Sequence, residues 1–329
     1  MSKIGIIGTG LIGTSLGIAI KRSILKNIEI TGVDLEPSFS KQARKMGALD
    51  KVGRTMAEVA RGSDILFICT PVMVIKDVLE TVGHELKKGC LVTDTGGTKL
   101  EVMHWADKFL PDGVDFIGGH PMAGKEAHGP GNADPGIFEG KAYCVVPKTG
   151  ASTQSVDALL KIIKSLGSTP FFIDAAEHDS FVAAVSHLPF IVAASLVNTT
   201  SNSPQWGDIS RLASTGFKGV TRLASGDPTM HRDVCLTNGE SIVHWLTQYV
   251  RQLEYIKELI ASRDSVRLDE LFNTALEKRE LWLSGLSVPN SLPRTDVSAV
   301  PTFSQMMFGE RISNKLFKVD GKQSKKDNS

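Results

Sequence analysis

The feature that most constrains this chain lies at its start. A short β-rich run, Lys3 to Ile7, passes straight into Gly8-Thr9-Gly10-Leu11-Ile12-Gly13. An apolar stretch of helical character follows from Leu11 to Ile20, and a second strand is expected over Ile28 to Val33. A strand, a glycine turn, a helix and a parallel strand make a βαβ unit of about 30 residues. In such a unit the first glycine permits the tight turn, the second lets the backbone approach a pyrophosphate, and the third lets helix and strand pack closely. The helix N-terminus offers free N–H groups and the positive end of its dipole to the phosphates. Asp34 closes the second strand, about 20 residues after the motif, where a carboxylate accepts hydrogen bonds from ribose hydroxyls. That carboxylate would repel a 2′-phosphate, and Glu36 adds charge of the same sign, so NAD is expected rather than NADP. The cofactor-binding residues are expected to be Gly8, Thr9, Gly10, Leu11, Ile12, Gly13 and Asp34, with Thr70 and Pro71 after a central strand at Ile65 to Cys69.

The strand–helix alternation continues. Helical runs are expected over Ser40 to Met46 and Val74 to Leu86. Further strands are expected at Leu91 to Thr93, Phe116 to Gly118, Ala142 to Val146 and Pro170 to Ile173. This pattern predicts an α/β fold, a Rossmann doubly wound sheet over residues 1–174. From His178 onward the chain reads as helices, which predicts a second, all-helical domain over 175–288 for substrate binding and dimerisation. Phe181 to Val197 is apolar almost all round, as expected of a helix buried in a bundle or between subunits. His231 to Ser262 and Asp264 to Ser284 read as two long helices. A C-terminal extension is expected from 289 to 329, where Pro289, Pro293 and Pro301 break helices and the last ten residues are polar enough to be disordered.

The 329 residues carry 37 basic and 36 acidic side chains, so no basic field favours nucleic acid or an anionic membrane. Cys69, Cys90, Cys144 and Cys235 are far apart and form no metal-ligand spacing, which suits reduced thiols in a cytoplasmic protein. No metal site is expected. No apolar run reaches the roughly 20 residues needed to cross a bilayer.

The chemistry is expected at Gly118-Gly119-His120-Pro121-Met122-Ala123-Gly124, read as a glycine-rich turn with one histidine at its centre. Histidine suits proton abstraction near neutral pH, and oxidation of an alcohol needs a base as hydride leaves carbon. The chain resembles the prephenate and arogenate dehydrogenase family over roughly residues 1 to 285. The resemblance is carried by GTGLIG, Cys69-Thr70-Pro71-Val72, the DTGGTK of Asp94 to Lys99, GGHPMAG with Glu126 after it, His178-Asp179, Ser186-His187-Leu188-Pro189, and GFKGVTRLASGDP from Gly216 to Pro228. It implies that His120 accepts the proton of a ring hydroxyl, that Arg222 binds a substrate carboxylate, and that His187 lines the pocket. The implied reaction is NAD-dependent oxidative decarboxylation of prephenate or arogenate in tyrosine biosynthesis, by a homodimer. The chain departs from the family pattern at three polar positions: Gly97 replaces a serine, Phe190 a histidine and Gly219 an acidic residue. A relative acting on a different small carboxylic acid, such as an amino analogue of prephenate, therefore stands beside the first reading, as does an NAD-binding protein without activity.

Overall fold

The structure, a computed structural model, describes residues 2–25, 27–125 and 127–285. The extension expected from 289 lies outside the described residues. The described residues divide into two compact units, one up to Val250 and one from Arg251.

The first unit is built on an eight-stranded sheet: β1 (Ser2–Ile7), β2 (Ile28–Val33), β3 (Lys51–Val52), β4 (Ile65–Ile68), β5 (Leu91–Asp94), β6 (Asp115–Pro121), β7 (Ala142–Pro147) and β8 (Thr169–Phe172). Its order is β3-β2-β1-β4-β5-β6-β7-β8. All neighbours are parallel except β6 and β7. Connecting helices are α1 (Leu11–Arg22), α2 (Pro37–Lys45), α3 (Met56–Gly62), α4 (Val72–Val82), α5 (Leu100–Phe109) and α6 (Thr153–Ser165). Alternate strand residues feed cores on opposite faces, as the period of two requires. Ile4, Ile6 and Phe67 pack with Leu16 and Ile20 of α1 and Leu159 of α6. Ile7, Leu66 and Ile68 pack with Val59 of α3, Ile75 and Leu79 of α4 and Val102 of α5. The doubly wound sheet expected from the sequence is present.

Several details differ from the sequence reading. The short β3 and α3 were not expected, and neither were α5 and α6. His120 does not lie in a turn after a strand. It is the penultimate residue of β6, paired with Cys144 of the antiparallel β7, which fixes its backbone from one side. The helices α7 (Ala175–Val182) and α8 (Leu188–Ser201) are joined by a π turn at Ala183–His187. Together they form one helix, 175–201, long and apolar enough by length and composition to cross a membrane. The sequence reading missed this because polar residues interrupt the apolar run near Asp179. Within the chain this helix is not buried all round, with Phe181 50% and Val185 71% exposed.

Next come α9 (Trp206–Leu212), α10 (Thr215–Thr221), a 3₁₀ turn at Arg222–Ser225, α11 (Pro228–Thr237) and α12 (Gly239–Ser262). The single helix expected from His231 to Ser262 is broken at Asn238, whose backbone leaves helical geometry (φ −131°, ψ 34°). The end of α12 and α13 (Ser265–Leu283) belong to the second unit, where the Asp264 carboxylate caps α13 by accepting from Arg267 N.

Candidate active site

The glycine motif forms the turn between β1 and α1, beside the loop after β4. Gly8 has φ +91°, and a Cβ there would lie 2.6 Å from the Cys69 carbonyl oxygen. A Cβ on Gly13 would lie 2.0 Å from the Gly8 carbonyl oxygen. Nothing lies within 4 Å of a Cβ built on Gly10. Two glycines are thus demanded by the chain itself, and the middle one faces open space, as a site for pyrophosphate requires. Gly10 starts α1 without a side-chain cap, so the first N–H groups of α1 remain available to an anion. Leu11 and Ile12 are half-buried in this first turn and pack on the core.

Asp34 stands at the carboxyl end of β2. One of its oxygens accepts from Thr9 N at 2.5 Å and the other from Glu36 N at 3.0 Å. The carboxylate is half-buried and tied to the glycine turn, where a ribose would lie. Pro71 is the N-cap of α4, and the Thr70 hydroxyl is buried with no hydrogen-bond partner among the described residues. An orphaned buried hydroxyl is rare. At the end of β4, where a dinucleotide crosses the sheet, it fits a ligand group as its missing partner. Together the residues present fit NAD.

The other half of the site is built from β5, β6 and the helices after β8. Asp94 and Lys99 form a fully buried ion pair. Asp94 also accepts from Gly96 N at 2.8 Å and from Gly119 N at 3.0 Å, which locks the DTGGTK loop to β6 one residue before His120. From α7, Asp179 receives three N–H groups: Lys99 N at 2.7 Å, Leu100 N at 2.9 Å and His178 Nδ1 at 2.8 Å. The carboxylate caps α5 from 80 residues away, which is why no local capping signal announced that helix.

His178 Nε2 lies 2.9 Å from His120 Nδ1. A carboxylate can only accept, so His178 carries its hydrogen on Nδ1 and, when neutral, presents a lone pair at Nε2. His120 must then donate from Nδ1, which leaves its own Nε2 as a lone pair. Burial, helped by the nearby His178, Lys99 and His187, holds the His120 pKa well below the usual histidine value. The ring is therefore neutral at pH 7 and ready to take a proton. Its side chain retains partial exposure.

His187 sits at the end of the π turn. Nine residues of regular helix would place it opposite His178. The extra residue of the π turn shifts that phase, a common device at functional sites. Asn238 Nδ2 donates to the Asp179 carbonyl at 2.7 Å and contacts His187 Nδ1 at 3.2 Å. His187 accordingly carries its hydrogen on Nε2, and burial lowers its pKa to about 4. One neutral histidine offers a lone pair and the other an N–H, as proton abstraction and substrate orientation respectively demand. Arg222 opens the 3₁₀ turn packed against α8 and is exposed.

Family models match in both halves of the chain. Residues 16–170 match the prephenate dehydrogenase nucleotide-binding domain, and 174–274 match the prephenate dehydrogenase dimerization domain. The prephenate dehydrogenase of Bacillus subtilis (strain 168) is 32% identical over 300 residues, covering 90% of this chain and 77% of the relative. The chain belongs to the prephenate dehydrogenase family. Among solved structures, prephenate dehydrogenase from A. aeolicus in complex with hydroxyphenyl propionate and NAD+ has a TM-score of 0.79 at 28% identity, covering 85% of this chain and 98% of the other. Synechocystis arogenate dehydrogenase has a TM-score of 0.73 at 27% identity, covering 85% and 99%.

Within this family framework, the structure brings His120 and His187 into one cluster and sets the glycine turn, Asp34, Thr70 and Pro71 around another. His178, Asp179, Asp94, Lys99 and Asn238 were not picked out as site residues. The motifs His178-Asp179 and DTGGTK were visible in the sequence, but nothing local linked them to each other or to Asn238. Around Gly97 there is space: a Cβ would meet only Val234 Cγ2, at 3.7 Å. Gly219 is equally open. Phe190 is buried and stacks on His231.

Proposed function

We propose that this chain oxidatively decarboxylates prephenate, or its amino analogue arogenate, to the aromatic product in tyrosine biosynthesis. It is an NAD-dependent dehydrogenase. The observation that carries the reading is the Asp179–His178–His120 chain, which fixes a neutral base with its lone pair at Nε2. Bound NAD supplies the hydride acceptor. His120 Nε2 takes the proton of the ring hydroxyl as the ring carbon is oxidised, and His178 shares the charge that then develops. Loss of the ring carboxylate as carbon dioxide makes the ring aromatic. Arg222 is the guanidinium proposed to grip a substrate carboxylate through paired hydrogen bonds. His187 presents its Nε2–H to the substrate. Gly8, Thr9, Gly10, Leu11, Ile12, Gly13 and Asp34 hold the pyrophosphate and adenosine ribose, and Thr70 and Pro71 border the nicotinamide end.

The domains are read as a Rossmann domain over 1–174 and a helical substrate and dimerisation domain over 175–288. The exposed apolar residues of 175–201 support a homodimer through the helical domain. The opposite side of the same helix carries His178, Asp179 and His187 into the site, which suits a protein interface better than a bilayer. A cytoplasmic setting fits the biosynthetic role. A different small carboxylic acid as substrate is favoured by the loss of polar groups at Gly97, Phe190 and Gly219.

The test mixes purified protein with NAD and either prephenate or arogenate and follows NADH. Turnover of one acid identifies the substrate. Silence with both, while calorimetry shows NAD binding, refutes the reading in favour of another acid.

A further inference from the structure

Phe190 is one of the three positions at which this chain lacks the polar group that the resemblance leads one to expect. Phe190 stands where the family carries a histidine, and a phenyl ring cannot hydrogen-bond a substrate. The structure puts another imidazole against it. The rings of Phe190 and His231 are parallel, with centroids 4.1 Å apart and 8° between planes. A second ring neighbour of Phe190 is His187, tilted, at 6.0 Å between centroids.

The position of His231 is built rather than incidental. On α11 it shares a face with Val234, three residues on, which lies over Gly97. Asn238, just past the end of α11, contacts His187 and the Asp179 carbonyl. The edge of the imidazole rests on Gly226, where a Cβ would lie 2.7 Å from Nε2 and 2.8 Å from Cε1. Any side chain at 226 would displace the ring. Gly226 directly follows the 3₁₀ turn Arg222–Ser225, so His231 packs one residue beyond the segment that carries the proposed carboxylate-binding arginine. No residue hydrogen-bonds the His231 ring nitrogens among the described residues, and the ring is half-buried.

We propose that the stacked Phe190–His231 pair is the specificity element of this site. His231 supplies the imidazole hydrogen bond missing at position 190 and directs it to the polar side chain of a cyclohexadienyl carboxylic acid. Phe190 serves as the platform that orients the ring. This rests on the reading of the cluster as the substrate site, and it explains how the site keeps a polar contact despite Phe190.

The test compares His231→Phe, which keeps the stack and removes the hydrogen bond, with His231→Gln, which keeps a donor and gives up the stack. Steady-state kinetics are measured with the acid that the wild type turns over. Loss of one neutral hydrogen bond raises KM for the acid by about tenfold in His231→Phe, with kcat and the KM for NAD within about twofold of wild type. His231→Gln recovers most of that loss. An unchanged KM for the acid in His231→Phe overturns the proposal, as does a fall in kcat alone. If His231→Phe does not fold, a KM raised as much by His231→Gln as by His231→Ala overturns it. Wild-type silence with both acids refutes the functional reading and this inference with it. Wild-type turnover with an insensitive KM refutes this inference alone.

Discussion

Replacing Asp179 by asparagine tests the relay with the smallest change of shape. Three N–H groups converge on the two carboxylate oxygens: Lys99 N and His178 Nδ1 on one, Leu100 N on the other. An amide has one acceptor oxygen, so its NH₂ must face at least one of these donors. With NH₂ toward Leu100, α5 loses a cap bond. With NH₂ toward His178, that ring must move its hydrogen to Nε2, and His120 becomes a donor at the atom where a base is needed. Both orientations remove the charge that stabilises the protonated relay. General-base catalysis contributes about 10²–10⁴, so kcat/KM should fall by that factor, or about 2.7–5.5 kcal/mol of barrier. Folding stability should fall by about 1.5–3 kcal/mol for the lost charged hydrogen bond, leaving NAD affinity unchanged in calorimetry. The sharper assay is a cycle with His120→Asn. Residues acting as one unit are strongly non-additive, so the double variant should be no slower than His120→Asn alone. An Asp179→Asn enzyme within threefold of wild type, or losses that multiply in the double variant, would refute the relay.

Three further outcomes are expected. Gly97→Ser should fold with stability within about 0.5 kcal/mol of wild type, because its Cβ meets only Val234 at 3.7 Å. It should also raise prephenate turnover, and unchanged or lower kcat/KM would show that the serine has no role here. Burial lowers the His187 pKa from 6.5 to about 4. The unfolded chain therefore binds more protons between those values, and the contribution of neutral His187, on the order of 3 kcal/mol, is present above pH 6.5 and lost as pH falls toward 4. Urea titrations of His187→Gln should show a flatter pH dependence in that window, and a slope equal to wild type would contradict the shift. Val185 is 71% exposed on the apolar face of helix 175–201. Val185→Glu should convert a dimer to a monomer in light scattering, whereas a dimer unaffected by the charge would move the interface elsewhere.

The nucleotide half of the molecule was legible because its requirements are local. A turn at φ +91° at Gly8, and a Gly8 carbonyl oxygen 2.0 Å from where a Gly13 Cβ would stand, can be satisfied only by glycine, so the motif announces its geometry. The strand and helix periods follow from which face each residue buries, which is also written along the chain. Breaks imposed by distant partners were not legible. Asn238 interrupts a helix to reach Asp179 and His187, and the sequence shows only a polar residue in an amphipathic pattern. The antiparallel β7 turned an expected loop around His120 into a strand.

By itself, then, the sequence determined the doubly wound sheet and the cofactor turn and pointed to the histidine proposed to do the chemistry, since each depends on neighbours a few residues away. Only the tertiary structure decided the protonation pattern of that histidine. Asp179 must come 80 residues back to the start of α5 before His178 has a fixed tautomer, and His178 must reach β6 before His120 Nε2 is a base. Hydrogen-bond direction is a property of groups in contact, and those contacts exist only once the chain has folded.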